Sequence, residues 1–134
     1  IGPAIATELF RSGEILTLTR EHVTPFYHQR AQGAVAAFRD SMGDVPFRIH
    51  KPEGAFFLWL WFEGLPISSQ QLYQRLKERG VLVVPGHHCF FGLSGEWPHR
   101  HECIRVSYVQ DEDAVRTGIA IIADEVGRAW ESAA

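Results

Sequence analysis

The sequence has few of the residues that would place it in several common classes of protein. Its only cysteines, Cys89 and Cys103, cannot form the disulfide framework of a small secreted domain, so we expect a reducing compartment, namely the cytoplasm. The longest apolar run, residues 55–62, is far shorter than the roughly 20 residues of a membrane-spanning helix. Basic residues (13) and acidic residues (16) are interspersed, so no nucleic-acid surface is predicted. Glycine-rich phosphate loops and Ser-His-Asp arrangements are also absent.

What the sequence does contain is enough for one globular core. Of its 134 residues, 46% are hydrophobic and 12% are aromatic. We therefore predict a single domain over residues 1–134, with connecting helices in 1–43 and a unit of sheet and helices in 44–134. Because the first residue is Ile1 and not methionine, we expect the chain to be a fragment of a longer protein.

Hydrophobic periodicity predicts a mixture of short strands and amphipathic helices. Strands are predicted at 47–50, 55–62, 81–84 and 103–108, and the main helices near 26–42, 69–79 and 112–130. Pro25 is expected to kink the helical stretch around it, and a Ser-x-x-Gln capping box at Ser68 is expected to start the middle helix. These elements indicate an α/β two-layer sandwich (α+β), in which a small, mostly antiparallel sheet carries helices on one face. The strand at 55–62 is apolar on both sides, so a further part of the protein should cover its other face.

Arg105 is the residue that most strongly suggests a binding site. A long loop rich in histidine and aromatic residues joins the last two predicted strands, and loops of this length are often functional. Arg105 follows that loop and lies between apolar neighbours on a strand, where a guanidinium needs an anionic partner. The residues alone allow two interpretations: a clamp for the carboxylate of a ligand, or a structural ion pair with Glu102 or Asp111.

The same loop contains a second candidate site, which consists of histidine and cysteine. Its members are His87, His88, Cys89, His99, His101 and Cys103. Side chains of these types at this density could supply the four ligands of a zinc ion. The sequence lacks a Cys-x2-Cys pair, and the ligand spacing is looser than in structural zinc sites, so we predict no metal ligand here. A small metal- or ligand-binding module is the alternative function.

Three segments resemble a known family. The segments KPEGAFFLWLWF (51–62), QLYQRLKERGVLVVPGHHCFFG (71–92) and CIRVSYVQ (103–110) resemble the closing part of a fold-type I aminotransferase of class I/II, a family that uses pyridoxal 5'-phosphate. The likeness implies the fold of that family's C-terminal small domain. A narrower likeness, in PFYHQR (25–30) and in VPGHHCFFG with the later WPH, is to bacterial members that transfer an amino group between valine or alanine and the 2-oxo acids pyruvate and 2-oxoisovalerate.

The resemblance also implies roles for particular residues. The pattern IRVSY matches the family's strand that carries the arginine for the substrate carboxylate, so Arg105 is expected to bind that group through two parallel hydrogen bonds. Gly86, Phe90 and Phe91 would border the pocket for the substrate side chain.

The family's cofactor requires a lysine that this chain does not supply in the right context. Its only lysines, Lys51 and Lys77, lack the family's Ser-x-x-Lys motif, which belongs to a large domain upstream of Ile1. The resemblance therefore implies no catalytic and no cofactor-binding residue in this chain, and the isolated chain is expected to be inactive. The complete enzyme would add an N-terminal large domain, bind pyridoxal 5'-phosphate, and act as a homodimer on amino-acid and 2-oxo-acid substrates.

Overall fold

One four-stranded sheet organises the protein. The computed structural model describes residues 2–133, apart from the side chain of Ile5. Its strands are β1 (Arg48–Ile49), β2 (Phe57–Trp61), β3 (Val84–Pro85) and β4 (Cys103–Ser107). They lie in the order β1-β2-β4-β3, and every neighbouring pair is antiparallel. The prediction of a small antiparallel sheet is confirmed.

The third strand differs most from its predicted bounds of 81–84. The N–H of Val81 donates to the carbonyl of Leu76 at 2.9 Å, so this residue closes the preceding helix and does not join the sheet. Leu82 is 72% exposed, and pairing with β4 begins only at Val84. A short apolar run shows that a segment is buried somewhere, but it does not show where strand pairing starts.

The helices occupy both the N-terminal segment and one side of the sheet. They are α1 (Gly2–Ser12), α2 (Glu14–Leu18), α3 (Thr24–Ser41), α4 (Ser69–Glu78) and α5 (Glu112–Glu131), with a π-helical segment at Thr19–Val23. This segment ends two residues before Pro25, which has no N–H to donate to the carbonyl four residues earlier. A kink at Pro25 stays a prediction. Between residues 2 and 133, none of the helices is both long enough and apolar enough to cross a membrane.

The hydrophobic core lies between one face of the sheet and α3, α4 and α5. Strand alternation turns Leu58 and Leu60 of β2, and Ile104 and Val106 of β4, toward these helices. The helices add the fully buried side chains of Phe38, Leu72, Leu76, Ile119, Ile122 and Val126. Burial of each such side chain stabilises the fold by about 1.5–3 kcal/mol. The helices therefore cover a single face, as predicted for a two-layer sandwich.

Local hydrogen bonds fix where the helices on the sheet begin. The Ser68 hydroxyl accepts a bond from the N–H of Gln71 at 3.2 Å, and the Gln71 side chain accepts one from the N–H of Ser68 at 2.9 Å. This is the capping box that the sequence predicts. At the start of α5, the Asp111 carboxylate accepts a bond from the N–H of Asp113 at 3.0 Å.

An ionic cluster joins α4 to α5. The Arg79 guanidinium lies 2.5 Å from the carboxylate of Asp124 and 2.7 Å from that of Glu125. Glu125 is only 6% exposed, and Arg79 lies closer to its carboxylate than Arg128, which is 3.9 Å away. The hydrogen bond from Arg79, aided by the charge of Arg128, holds the pKa of Asp124 below its ordinary value.

Candidate functional site

The second face of the sheet carries the candidate site. Because side chains alternate along a strand, Phe57, Trp59 and Trp61 of β2 share this face with Cys103 and Arg105 of β4. The register places Trp59 directly opposite Arg105 and Trp61 opposite Cys103. The loop between β3 and β4 folds over this face, so the face that lacks helices is covered in part by the chain's own loop.

Arg105 is half-buried in the middle of this face. Its Cζ atom lies 4.4 Å from the centre of the Phe57 ring. Its Nε atom is closed off from solvent and has no hydrogen-bond partner. Throughout residues 2–133, no carboxylate forms an ion pair with it. A guanidinium that is partly desolvated and not neutralised favours an anionic ligand.

The two carboxylates that could have formed a structural ion pair are used elsewhere. Glu102 accepts a bond from the indole N–H of Trp61 at 2.7 Å and another from the N–H of Gly64 at 3.2 Å. Asp111 caps α5. Neither carboxylate therefore forms the structural ion pair with Arg105, which favours the interpretation as a carboxylate clamp.

Aromatic rings cover the sheet beside Arg105, and we call them the aromatic cluster: Trp59, Trp61, Phe90, Trp97 and His99. Phe90 meets Trp59 edge to face at 5.6 Å and Trp97 at 5.0 Å between ring centres. His99 stacks on Trp97 at 4.8 Å and meets Trp61 at 4.8 Å. From the sequence, the run at 55–62 is recognised only as apolar on both sides, and Trp97 is not singled out. The alternation of tryptophan with leucine in β2 was the signal that could have separated the two faces.

The predicted pocket residues Gly86, Phe90 and Phe91 have different surroundings. Gly86 is buried, and a Cβ atom there would lie 2.8 Å from the carbonyl oxygen of Arg100 and 2.8 Å from both the Cβ and the carbonyl oxygen of Cys103. Only glycine allows the loop to approach β4 this closely. Phe90 belongs to the aromatic cluster on the Arg105 face. Phe91 is 86% exposed and, within the part of the chain that the structure describes, makes no ring contact.

The histidines of the loop lie in ring pairs. The ring centres of His87 and His88 are 4.0 Å apart, and those of His87 and His101 are 5.8 Å apart. Burial, and then the charges of His88, His101 and Arg100, hold the pKa of His87 below its ordinary value. Among residues 2–133, no three histidine, cysteine or acidic side chains converge as metal ligands. The geometry therefore gives no support to the metal-binding module.

Cys103, Lys51 and Lys77 offer no reactive group on this face. Cys89 and Cys103 are both free thiols. Burial raises the pKa of Cys103 to about 12, which makes its thiol a poor nucleophile. The Lys51 side chain is 81% exposed and pairs with Glu53 at 2.6 Å, and Lys77 is exposed on α4.

Comparison with known proteins gives consistent results. Residues 11–122 match the sequence model of the aminotransferase class I and II family. Over 130 residues the chain is 49% identical to the valine–pyruvate aminotransferase of Escherichia coli K12, a match that covers 97% of this chain and 31% of that protein. The crystal structure of valine-pyruvate aminotransferase from Salmonella typhimurium LT2 superposes with a TM-score of 0.92 at 48% identity, over 98% of this chain and 34% of that one.

A more distant relative was solved with a bound molecule. The alpha-aminoadipate aminotransferase of Thermus thermophilus, complexed with N-(5'-phosphopyridoxyl)-L-leucine, superposes with a TM-score of 0.73 at 25% identity. That match covers 92% of this chain and 30% of the other. The chain thus spans about a third of the length of each of these relatives.

Proposed function

Because the chain belongs to the class I and II aminotransferases, we propose that it is the C-terminal part of such an enzyme and binds the carboxylate of the substrate. The enzyme would transfer an amino group between valine or alanine and the 2-oxo acids pyruvate and 2-oxoisovalerate. The observation that carries the proposal is the environment of Arg105: it is half-buried, has no carboxylate partner among residues 2–133, and lies on a face lined by aromatic rings. Every amino acid and 2-oxo acid has a carboxylate, and a planar guanidinium binds that group with two parallel donors.

The proposed role of Arg105 is to bind and to orient. A carboxylate held at two points fixes the direction of the adjoining Cα–H bond, whereas a single point charge would let the substrate turn about its contact. The neighbouring aromatic cluster would exclude water from the bound carboxylate, which strengthens its attraction to the guanidinium. Binding and orientation would therefore both depend on this one side chain.

The substrate side chain would lie against the aromatic cluster. Valine carries a branched apolar side chain, and Phe90 and Trp59 offer apolar surface on the same face as Arg105. We place Phe90 and not Phe91 at this pocket, because Phe91 points into solvent. Gly86 contributes indirectly by letting the loop that carries Phe90 lie close to β4.

Pyridoxal 5'-phosphate would be held by the rest of the enzyme. When bound, this cofactor supplies the electron sink that transamination requires. The residues of this chain do not fit a covalent attachment to it, because Lys51 is paired with Glu53 at the surface and Lys77 is exposed on α4. The missing lysine would belong to an N-terminal large domain, and we propose a cytoplasmic homodimer as the complete enzyme. The two free thiols are compatible with a reducing compartment.

The test is the Arg105→Lys substitution in the full-length enzyme. We expect kcat/KM for valine and pyruvate to fall by roughly a hundredfold or more, the scale of a desolvated charge-assisted pair of about 3 kcal/mol. Cofactor binding should be nearly unchanged. Arg116→Lys is the matched control, because Arg116 lies on α5, its side chain is 57% exposed and it pairs with Glu112. If Arg105→Lys lowers thermal stability and leaves kcat/KM per folded molecule intact, the arginine is structural and the proposal is wrong.

A further inference from the structure

The guanidinium of Arg105 rests on an aromatic ring where an arginine in this position would ordinarily have a carboxylate. Phe57 is paired with Ser107, two residues beyond Arg105 on β4, so the two side chains are diagonal neighbours on one face of the sheet. The guanidinium carbon lies over the Phe57 ring, 4.4 Å from its centre. We propose that Phe57 is a positioning residue: its ring holds the Arg105 guanidinium in place for the substrate carboxylate without neutralising it. This inference rests on the role proposed for Arg105.

The physical reason lies in which part of the guanidinium each partner uses. An aromatic ring attracts the flat face of the cation, whereas a carboxylate binds the N–H groups along its edge. A structural Asp or Glu would therefore occupy the same donors as the substrate and would have to be displaced. A ring fixes the plane of the guanidinium and leaves its two terminal NH2 groups and its full charge for the ligand. The two carboxylates closest in sequence, Glu102 and Asp111, are both engaged elsewhere.

The backbone around Phe57 is itself held by β4. Ala55 has a φ of 62°, a left-handed backbone conformation that residues other than glycine rarely adopt. The Tyr108 hydroxyl donates to the Ala55 carbonyl at 2.7 Å, and the Tyr108 N–H donates to the carbonyl of Phe56 at 3.3 Å. The strand that carries Arg105 thus also fixes the turn that aims Phe57.

Core packing does not explain why a phenylalanine lies at position 57. Its side chain is 40% exposed and lies outside the cluster of buried side chains between sheet and helices. The neighbouring Phe56 is similarly exposed, at 44%, but it packs against Tyr27 of α3 with 4.6 Å between ring centres. The two adjacent phenylalanines therefore form a matched pair, in which only one contacts the guanidinium.

The experiment compares Phe57→Leu, Phe57→Tyr and Phe56→Leu in the full-length enzyme. Leucine keeps the apolar bulk but has no ring face, so Phe57→Leu should raise KM for both valine and pyruvate about five- to tenfold, with a smaller fall in kcat. Phe57→Tyr keeps the ring and should restore KM to within about twofold of the wild type. Phe56→Leu should leave KM unchanged, and melting temperatures should differ little between Phe57→Leu and the wild type.

The outcomes separate this inference from the proposed function. A wild-type KM in Phe57→Leu, together with a strongly impaired Arg105→Lys enzyme, would overturn the inference and leave the carboxylate role standing. A loss in Phe57→Leu that tyrosine does not restore, or that Phe56→Leu reproduces, would also overturn it, because the effect would then not come from the ring face. An unimpaired Arg105→Lys enzyme would instead refute the proposed function on which the inference depends.

Discussion

Replacing Gly86 with alanine should weaken the contact between the loop and β4. The added Cβ would lie 2.8 Å from a carbonyl oxygen of Arg100 and from two atoms of Cys103, one of them a backbone oxygen. None of these atoms is the far end of a flexible side chain, so relief requires movement of the loop or the strand. Overpacking of this kind costs about 1–3 kcal/mol, and backbone contacts on two sides put Gly86→Ala near the upper limit.

The expected loss of stability can be converted into a change in melting temperature. An unfolding entropy of about 2.1 cal/mol/K per residue gives roughly 0.28 kcal/mol/K for a chain of 134 residues. A loss of about 3 kcal/mol then lowers the melting temperature by about 10 °C. Thermal unfolding of the 134-residue chain, followed by far-ultraviolet circular dichroism, measures this directly.

Gly118→Ala is the matched control for this experiment. Gly118 lies within α5, and a Cβ there would meet no atom within 4 Å. Alanine in a helix interior is more favourable than glycine by about 0.5–1 kcal/mol, so this variant should melt about 2–4 °C higher. The opposite signs of the two changes make the test selective. If Gly86→Ala melts at or above the wild-type temperature, the loop does not lie as close to β4 as described, and the argument for Gly86 fails.

Three further predictions concern charge and cofactor. Arg79→Met should destabilise the fold, and the difference from the wild type should shrink as the pH falls. Because folding lowers the pKa of Asp124, the stabilisation by its carboxylate is present above the pKa of the unfolded state and is lost as the pH falls toward the lower pKa of the folded state. Urea unfolding at several pH values measures this. The stability of the wild-type protein should also fall as the pH drops below the ordinary histidine pKa of about 6.5, because folding lowers the pKa of His87. His87→Gln should make stability less dependent on pH in this range. An unchanged pH dependence would contradict the lowered pKa of His87. The isolated chain should neither transaminate nor give a pyridoxyl adduct at Lys51 or Lys77 after borohydride reduction, as mass spectrometry of its peptides would show.

The general architecture could be predicted because its determinants are local. The capping box at Ser68 consists of neighbouring residues in the chain, and the apolar alternation of β4 lies within a few positions. The state of Arg105 could not be predicted in the same way. Glu102 is near it in sequence and is a plausible partner, and only the fold shows that both of its oxygens accept bonds from Trp61 and Gly64.

The cover over the second face also depends on contacts between distant residues. Both faces of β2 are apolar, so hydrophobicity alone does not separate Trp59 from the core, and only the alternation of leucine with aromatic residues indicates the two faces. The position of Phe90 over that tryptophan depends on a loop path that Gly86 permits, and nothing in the loop's own composition specifies this path. The sequence therefore assigns the predicted pocket only to the loop between β3 and β4, whereas the aromatic cluster is recognised from the ring contacts in the structure.

The aromatic cluster has a consequence for optical measurements on the protein. The sequence has four tryptophans, and three of them, Trp59, Trp61 and Trp97, lie in the cluster beside Arg105. The fourth, Trp130, lies on α5 and packs against the core on the other side of the sheet. Three of the four indole rings therefore lie at the candidate site, so an anion that binds Arg105 or a movement of the loop should alter their emission without an added label. Trp130→Phe would remove the contribution of the fourth.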